Sequence, residues 1–200
     1  MILAIEEWKN DNGDLTHLLN HDLDENSIVV DFGAYTGLWL SQMAERYDCN
    51  YYALEPILKY FKKLVENSSK RKNITCSNLG ISTKNGTVPM GMVGEASSAF
   101  INNSESKNVS MVDLKTFFQQ HDLEKIDLAQ INIEGMEFEL LKDWFANGLI
   151  TKIDKFMIQF HVIESIDYLN ERQHIQDMFL ELGYEKVFDY SFVWECWRKK

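Results

Sequence analysis

Two hundred residues, 45% apolar and 26% charged, are the size and make-up of one soluble globular domain that buries a core without staples. A net charge of −11, from 31 acidic and 20 basic residues, excludes the broad basic face that a phosphate-tracking nucleic-acid binder needs. Cys49, Cys76 and Cys196 make neither a CxxC pair nor a metal spacing, no secretion signal opens "MILAIEEWKNDN", and no apolar run nears the roughly 20 residues of a membrane span; together these point to a cytoplasmic protein with reduced thiols.

Residues 1–26 are predicted as an N-terminal helical segment, with "LTHLLNHDL" (15–23) as its helix or helical turn. "SIVVDF" (27–32) is a short β-branched run, the pattern of a buried parallel strand. "GLWLSQMAERY" (37–47) spaces Leu38, Leu40, Met43, Ala44 and Tyr47 as a helix does. "NYYALEP" (50–56) is the second strand, closed by Pro56, and "ILKYFKKLVENS" (57–68) an amphipathic helix. "NITCSN" (73–78) is the third strand. From 80 to 112 the chain becomes rich in Gly, Ser and Asn, with "KNGT" as a turn between short β-like pieces. This region is predicted as an inserted hairpin and a mobile loop, with 89–108 as a candidate lid or, equally, a plain surface loop. "VDLKTFFQQHD" starts a helix with Asp113 at its N-cap. "IDLAQINIEG" (126–135) is strand four, "MEFELLKDWF" (136–145) a helix, and "KIDKFMIQFHV" (152–162) strand five. A helix over 166–184 ends at Gly183, and 185–190 with 192–199 form a closing hairpin. Strands alternating with helices give an α/β fold, doubly wound, whose seven-stranded and mostly parallel sheet takes an antiparallel strand from the C-terminal hairpin. All 200 residues are read as a single domain.

In such a sheet a ligand binds beyond the carboxyl ends of the strands, which is where the loop "DFGAYTG" lies. Gly33 and Gly37 let the backbone turn and approach a ligand, with Ala34 and Tyr35 between them. A dinucleotide site would show G-x-G-x-x-G facing a pyrophosphate. This loop lacks the third glycine and carries Asp31 at its mouth, so it suits a cationic ligand without phosphate. S-adenosylmethionine, with a sulfonium, an ammonium, a ribose and an adenine, meets that description. Glu55, in "ALEP" at the end of the second strand, is placed to accept bonds from both ribose hydroxyls. Asn78, ending the third strand, either touches the adenine side or caps its own loop. The bland alternative for the glycines is a tight strand-to-helix turn.

"DLAQINIEGMEFELLKDW" resembles "lKiDvEGaEleVLkG", the hallmark of FkbM-type methyltransferases, and "VVDFGAYTG", "ALEP", "NLGISTKNGTV" and "MIQFHV" extend the resemblance from about residue 27 to about 162. The resemblance implies a class I methyltransferase fold, S-adenosylmethionine as donor and O-methylation, often of a sugar hydroxyl. It also implies that domains of this kind occur fused to glycosyltransferases, with a glycan or a terminal deoxysugar such as rhamnose as acceptor. The chain departs from the pattern at Gln130, where Lys is usual, at Asn132, where Asp is usual, and at Gln159, where an acid often precedes the strand-five His. Asn132 can still bond a donor amine or an acceptor hydroxyl, but it is a poor base and a poorer metal ligand than a carboxylate.

Methyl transfer to a hydroxyl needs alignment and a base near the attacking oxygen. Glu134 and His161, at the ends of strands four and five, are the candidates, with Asn132 beside them; Glu137 reads as a helix-opening acid. Ser97 and Ser98 in "EASSAF" and Gln159 are candidate substrate contacts. Glu134, Glu137, Asp113 and His161 could assemble a divalent metal site, although no spacing demands one. Two alternatives stay open: methylation of a hydroxyl or amine on a non-sugar small molecule, and a non-catalytic binding module with this fold.

Overall fold

The computed structural model describes residues 2–93, 96–98 and 107–200. Two helices, α1 (Ile2–Asn10) and α2 (Gly13–Thr16), lead into β1 (Ile28–Phe32), α3 (Leu38–Arg46), β2 (Asn50–Leu54), α4 (Leu58–Ser68) and β3 (Ile74–Ser77). Four further strands follow: β4 (Gly80–Ser82), β5 (Gly86–Val93), β6 (Ala96–Ser98) and β7 (Lys107–Asp113). The chain then returns through α5 (Leu114–Gln120), β8 (Leu128–Ile131), α6 (Glu137–Ala146), a 3-10 turn at Leu149–Lys152, β9 (Lys155–Ile158), α7 (Tyr168–Glu181), β10 (Tyr184–Tyr190) and β11 (Trp194–Lys199).

Seven strands form one sheet in the order β10-β11-β9-β8-β1-β2-β3. β1 lies parallel to β2 and β8, β2 to β3, and β8 to β9, whereas β11 runs antiparallel to β9 and β10. This is the expected doubly wound sheet with its antiparallel C-terminal strand. Alternation along β1 feeds both faces. Val30 and Phe32 pack with Phe117 of α5, Trp144 of α6 and Phe179 of α7 in one core cluster. Val29 packs on the other face with Leu40 and Met43 of α3, Leu64 of α4 and Trp8 of α1. Fully burying each such aliphatic or aromatic side chain contributes about 1.5–3 kcal/mol, so the sheet is held from both sides.

Local signals set the helix boundaries. Asp113 caps α5 by accepting from Thr116 N at 2.7 Å, and Gly183 takes a left-handed φ of 82° just beyond α7, both as predicted. The N-terminal prediction is corrected: the helices are 2–10 and 13–16, not 15–23. Asn12 turns the chain with φ 53°, and Gly13 lies so close to the Trp8 indole that a Cβ there would stand 2.2 Å from it. Beyond Thr16 the chain is held by tertiary bonds such as His21 N to the Tyr47 hydroxyl, 2.8 Å, rather than by helix. Strands four and five are also shorter than predicted, at 128–131 and 155–158.

The 80–112 insertion is a second sheet, in the order β4-β7-β5-β6, with β4 parallel to β7. Met90 and Met111 from this sheet join Ile57 and Tyr60 in a small core of their own. The second sheet thereby covers the carboxyl end of β2. Much of the candidate lid at 89–108 lies outside the described residues. Among the described residues no helix is long and apolar enough to cross a membrane.

Candidate active site

The loop after β1 is fixed by backbone bonds. Gly33 N and Ala34 N both donate to Leu54 O, at 3.0 and 2.9 Å, and Gly37 N donates to Ala34 O at 2.8 Å. Gly33 has φ 92°, and a Cβ there would stand 2.0 Å from the Asn132 carbonyl oxygen. Gly37 has φ 79°, and its Cβ would meet Leu64 Cδ1 at 2.6 Å. The first glycine therefore lets the loops after β1 and β8 touch backbone to backbone, and the second seats α3 against α4.

Glu55 joins the loops after β1 and β2. It is 5% exposed, its Oε2 accepts from Tyr35 N at 2.9 Å, and its Oε1 accepts from Ile57 N at 2.7 Å. Burial pushes its carboxyl up to about 7, against the pull of those two backbone bonds. Asn78 donates its amide to the Glu55 and Pro56 carbonyls at 2.9 and 3.0 Å, and so holds the same turn. These loops surround a cavity of about 370 Å³. Gly33, Tyr35, Glu55, Asn132 and Glu134 line one side, and Ile81, Met90, Met111 and Met136 give it an apolar wall. Among the described lining residues there is no Lys or Arg. Asn132 lines the cavity, and its buried Oδ1 has no hydrogen-bond partner among the described residues. A glycine cradle, a buried carboxylate, an orphan acceptor and an apolar wall without cations fit a positively charged ligand that carries no phosphate.

Asp31, within β1, is buried and is not among the residues that line this cavity. It is 1% exposed and takes a 3.4 Å contact from Gln130 Nε2. Burial pushes its carboxyl up to about 7; the Gln130 bond opposes this and nearby Glu55 adds to it. The sign of the linkage follows. The folded state holds this proton more tightly than the unfolded chain, so its stabilising contribution is full below the ordinary carboxylate range and fades as pH rises through about 7. Glu55 acts in the same direction. The melting temperature is therefore expected to fall as pH is raised from about 5 to about 8, and Asp31→Asn to flatten part of that slope. An unchanged slope in the variant, followed by calorimetry across pH, would contradict this placement of Asp31.

The loop from β8 to α6 carries the second half of the site. Glu134 and Gly135 both take positive φ, 56° and 104°, which turns the chain sharply at the cavity edge. Glu137, fully buried, accepts through Oε1 from Ile133 N at 2.9 Å and from His161 Nδ1 at 2.9 Å. His161 Nε2 faces Glu134 Oε2 at 3.6 Å. Burial alone would lower the His161 pKa; the Glu137 bond and the charges of Glu137 and Glu134 outweigh it and raise the imidazole above its ordinary value. Glu134 and His161, the candidate bases, stand 3.6 Å apart, and Asn132 lines the cavity with Glu134; Glu137 opens α6 as an acid of its first turn, as the sequence suggests, and in addition bonds Ile133 N and His161. No sequence signal marks the Glu137–His161 bond, which joins residues 24 positions apart, and none marks the methionine wall.

Gln159 sits just past β9, half-buried, with its backbone N bonded to Ile131 O at 3.0 Å. The backbone of Ser97 and Ser98 runs in β6, opposite Met92 and Gly91; their side chains lie outside what the structure describes. Asp113 is taken up in capping α5 and lines a different depression. Among the described residues no three His, Cys, Asp or Glu side chains are grouped to hold a metal ion.

A family model described as the methyltransferase FkbM domain matches residues 31–186. The fold is similar to that of fibrillarin in a fibrillarin/Nop5p complex, at 19% identity, 90% of this chain, 76% of that one and a TM-score of 0.53. It is similar to a Methanococcus jannaschii fibrillarin, a pre-rRNA processing protein, at 12% identity over 94% and 77% with a TM-score of 0.52. M. capricolum TrmK, solved with S-adenosylhomocysteine, matches at 12% identity and a TM-score of 0.50; the match covers 89% of this chain and 64% of that one. At these identities the likeness is one of fold. No curated protein matches the chain.

Proposed function

The chain belongs to the FkbM methyltransferase family, whose donor is S-adenosylmethionine, and we propose that it methylates a hydroxyl of a sugar or glycan. When bound, the donor supplies an electrophilic methyl on a sulfonium centre. Glu55 would hold the ribose hydroxyls, the orphan Asn132 Oδ1 the ammonium, and the backbone at Gly33, Ala34 and Tyr35 would lie against the donor, with Gly37 fixing the turn. Ile81, Met90 and Met111 offer the adenine an apolar face. Asp31 and Asn78 support these loops from below and from the side. TrmK, which shares the fold, was solved with the donor's product, which supports S-adenosylmethionine as the donor.

The single observation that carries the acceptor reading is the Glu137–His161–Glu134 arrangement, which reaches through Glu134 a cavity with no Lys or Arg among its described lining residues. His161 serves as the base, and Glu134, which lines the cavity, binds the acceptor hydroxyl and faces the imidazole. A neutral, hydroxyl-bearing acceptor suits two carboxylates and no Lys or Arg in the described lining, on a chain of net charge −11. A phosphate-rich acceptor of the kind processed by the fibrillarin relative would meet repulsion here. Ser97, Ser98 and Gln159 are proposed to contact the sugar. A glycosyltransferase, on the same or a neighbouring polypeptide, would supply the glycan, a terminal deoxysugar such as rhamnose among the candidates, in the cytoplasm.

The test is incubation with donor and a panel of neutral glycans, charged glycans and non-sugar alcohols and amines, read by mass spectrometry. Gain of one methyl on neutral glycans is expected. Labelling confined to non-sugar acceptors would overturn the sugar reading while leaving the methyltransferase in place.

A further inference from the structure

Glu137 is buried to 0% exposure, and a carboxylate so placed is costly unless its bonds repay the lost hydration. Its side-chain bonds go beyond its own helix: Glu137 is the first residue of α6, whose N-cap, Met136, makes no side-chain cap. A single oxygen, Oε1, takes both the Ile133 N–H and His161 Nδ1, residues four and 24 positions away, while Oε2 is buried without a hydrogen-bond partner among the described residues. One atom therefore joins Ile133, in the wall of the donor cavity, to the imidazole that faces Glu134 of the same wall.

Building on the methyltransferase reading above, we propose that Glu137 is the positioning residue of the site, fixing the proton of His161 on Nδ1 and holding the Asn132–Glu134 turn against the cavity. With Nδ1–H donated to Glu137, the lone pair of Nε2 is presented toward Glu134 and the acceptor. As the acceptor oxygen forms its bond to the methyl carbon and the carbon–sulfur pair returns to sulfur, the O–H proton passes to Nε2. The resulting imidazolium lies between Glu137 and Glu134, the charged groups that face it among the described residues, from α6 and from the β8–α6 loop. The proton then leaves to water from Nε2, since the side chain is 23% exposed. Through Ile133, the same carboxylate stabilises the left-handed turn at Glu134 and Gly135, which no side-chain cap supports.

Glu137→Gln and Glu137→Ala separate the two roles. Glutamine keeps a carbonyl oxygen for Ile133 N–H and Nδ1–H but removes the charge; alanine removes both bonds. His161 is followed by NMR titration of the five histidines, assigned by the signal missing in His161→Ala. In Glu137→Gln the His161 pKa is expected to fall by about one unit or more. The acid limb of the kcat/KM profile should move with it, kcat should fall about tenfold, and the affinity for S-adenosylhomocysteine should stay within about twofold. In Glu137→Ala that affinity should also weaken by about tenfold, because the cavity wall loses its anchor. An unmoved His161 titration in Glu137→Gln overturns the proposal, as does loss of melting temperature and all other readouts together. Failure of the methyltransferase reading shows separately, as wild-type protein that binds no S-adenosylhomocysteine while its His161 titration still responds to Glu137.

Discussion

Gly33→Ala is expected to lower stability by about 3–4 kcal/mol and to weaken S-adenosylhomocysteine binding at least tenfold. Two costs add. The backbone at this residue holds φ 92°, a conformation that costs an L side chain roughly 1–3 kcal/mol. The new methyl would also stand 2.0 Å from the Asn132 carbonyl oxygen and 3.0 Å from its carbon, which are backbone atoms with no rotamer to yield. The loops after β1 and β8 must separate, and both line the cavity. A domain stable by about 5–15 kcal/mol survives such a change, so donor binding remains measurable on folded protein. Gly148→Ala is the control. It shares a positive φ, 69°, but its Cβ would meet nothing within 4 Å, so the cost there is near 1 kcal/mol with donor binding unchanged. Equal losses at the two positions would mean that backbone strain alone, and not contact between the loops, explains Gly33.

His161→Ala is expected to cut kcat by about 10²–10⁴, the usual contribution of a positioned base, with donor affinity within about twofold of wild type. The pH dependence carries the sign of the assignment. A base acts only when unprotonated, and Glu137 and Glu134 raise the His161 pKa, so wild-type activity should climb with pH through and beyond the ordinary imidazole range. Steady-state rates across pH on the acceptor found by the panel measure this. A variant that keeps full kcat would move the base to Glu134. A variant that loses donor binding as well would make His161 a structural residue.

Much of this site was legible because the residues that build it do local jobs. β1 reads as a buried strand because Ile28, Val29, Val30 and Phe32 are apolar, as in parallel strands covered on both faces, and the loop after it reads as a ligand cradle because its two glycines serve a turn and a close approach. Glu55 could be found because an acid ends the second strand. The features that escaped depend on distant partners. The fourth strand was read through to Gly135 because Ile131 and Ile133 continue the apolar pattern, and no composition marks the left-handed turn at Glu134. Leu15, Leu18 and Leu19 have helical spacing, yet that segment is arranged largely by bonds to Tyr47 and Trp39 more than 20 residues away. Asp31 reads as a residue of the loop mouth because it stands near the strand's end, whereas the alternation of β1 puts it on the same face as Val29, buried beside Gln130 of β8. Glu137 took its role from His161, 24 residues on, and the second sheet from the pairing of β4 with β7; both are facts of three dimensions.

Titration calorimetry of S-adenosylhomocysteine into the wild-type protein and Glu55→Gln tests the central claim, that the cavity between the β1, β2 and β8 loops is the donor site. Micromolar binding by wild type is predicted, weakened at least tenfold in the variant, which loses one of the two carboxylate acceptors offered to the ribose. No binding at millimolar ligand, or equal affinity in the two proteins, would contradict it.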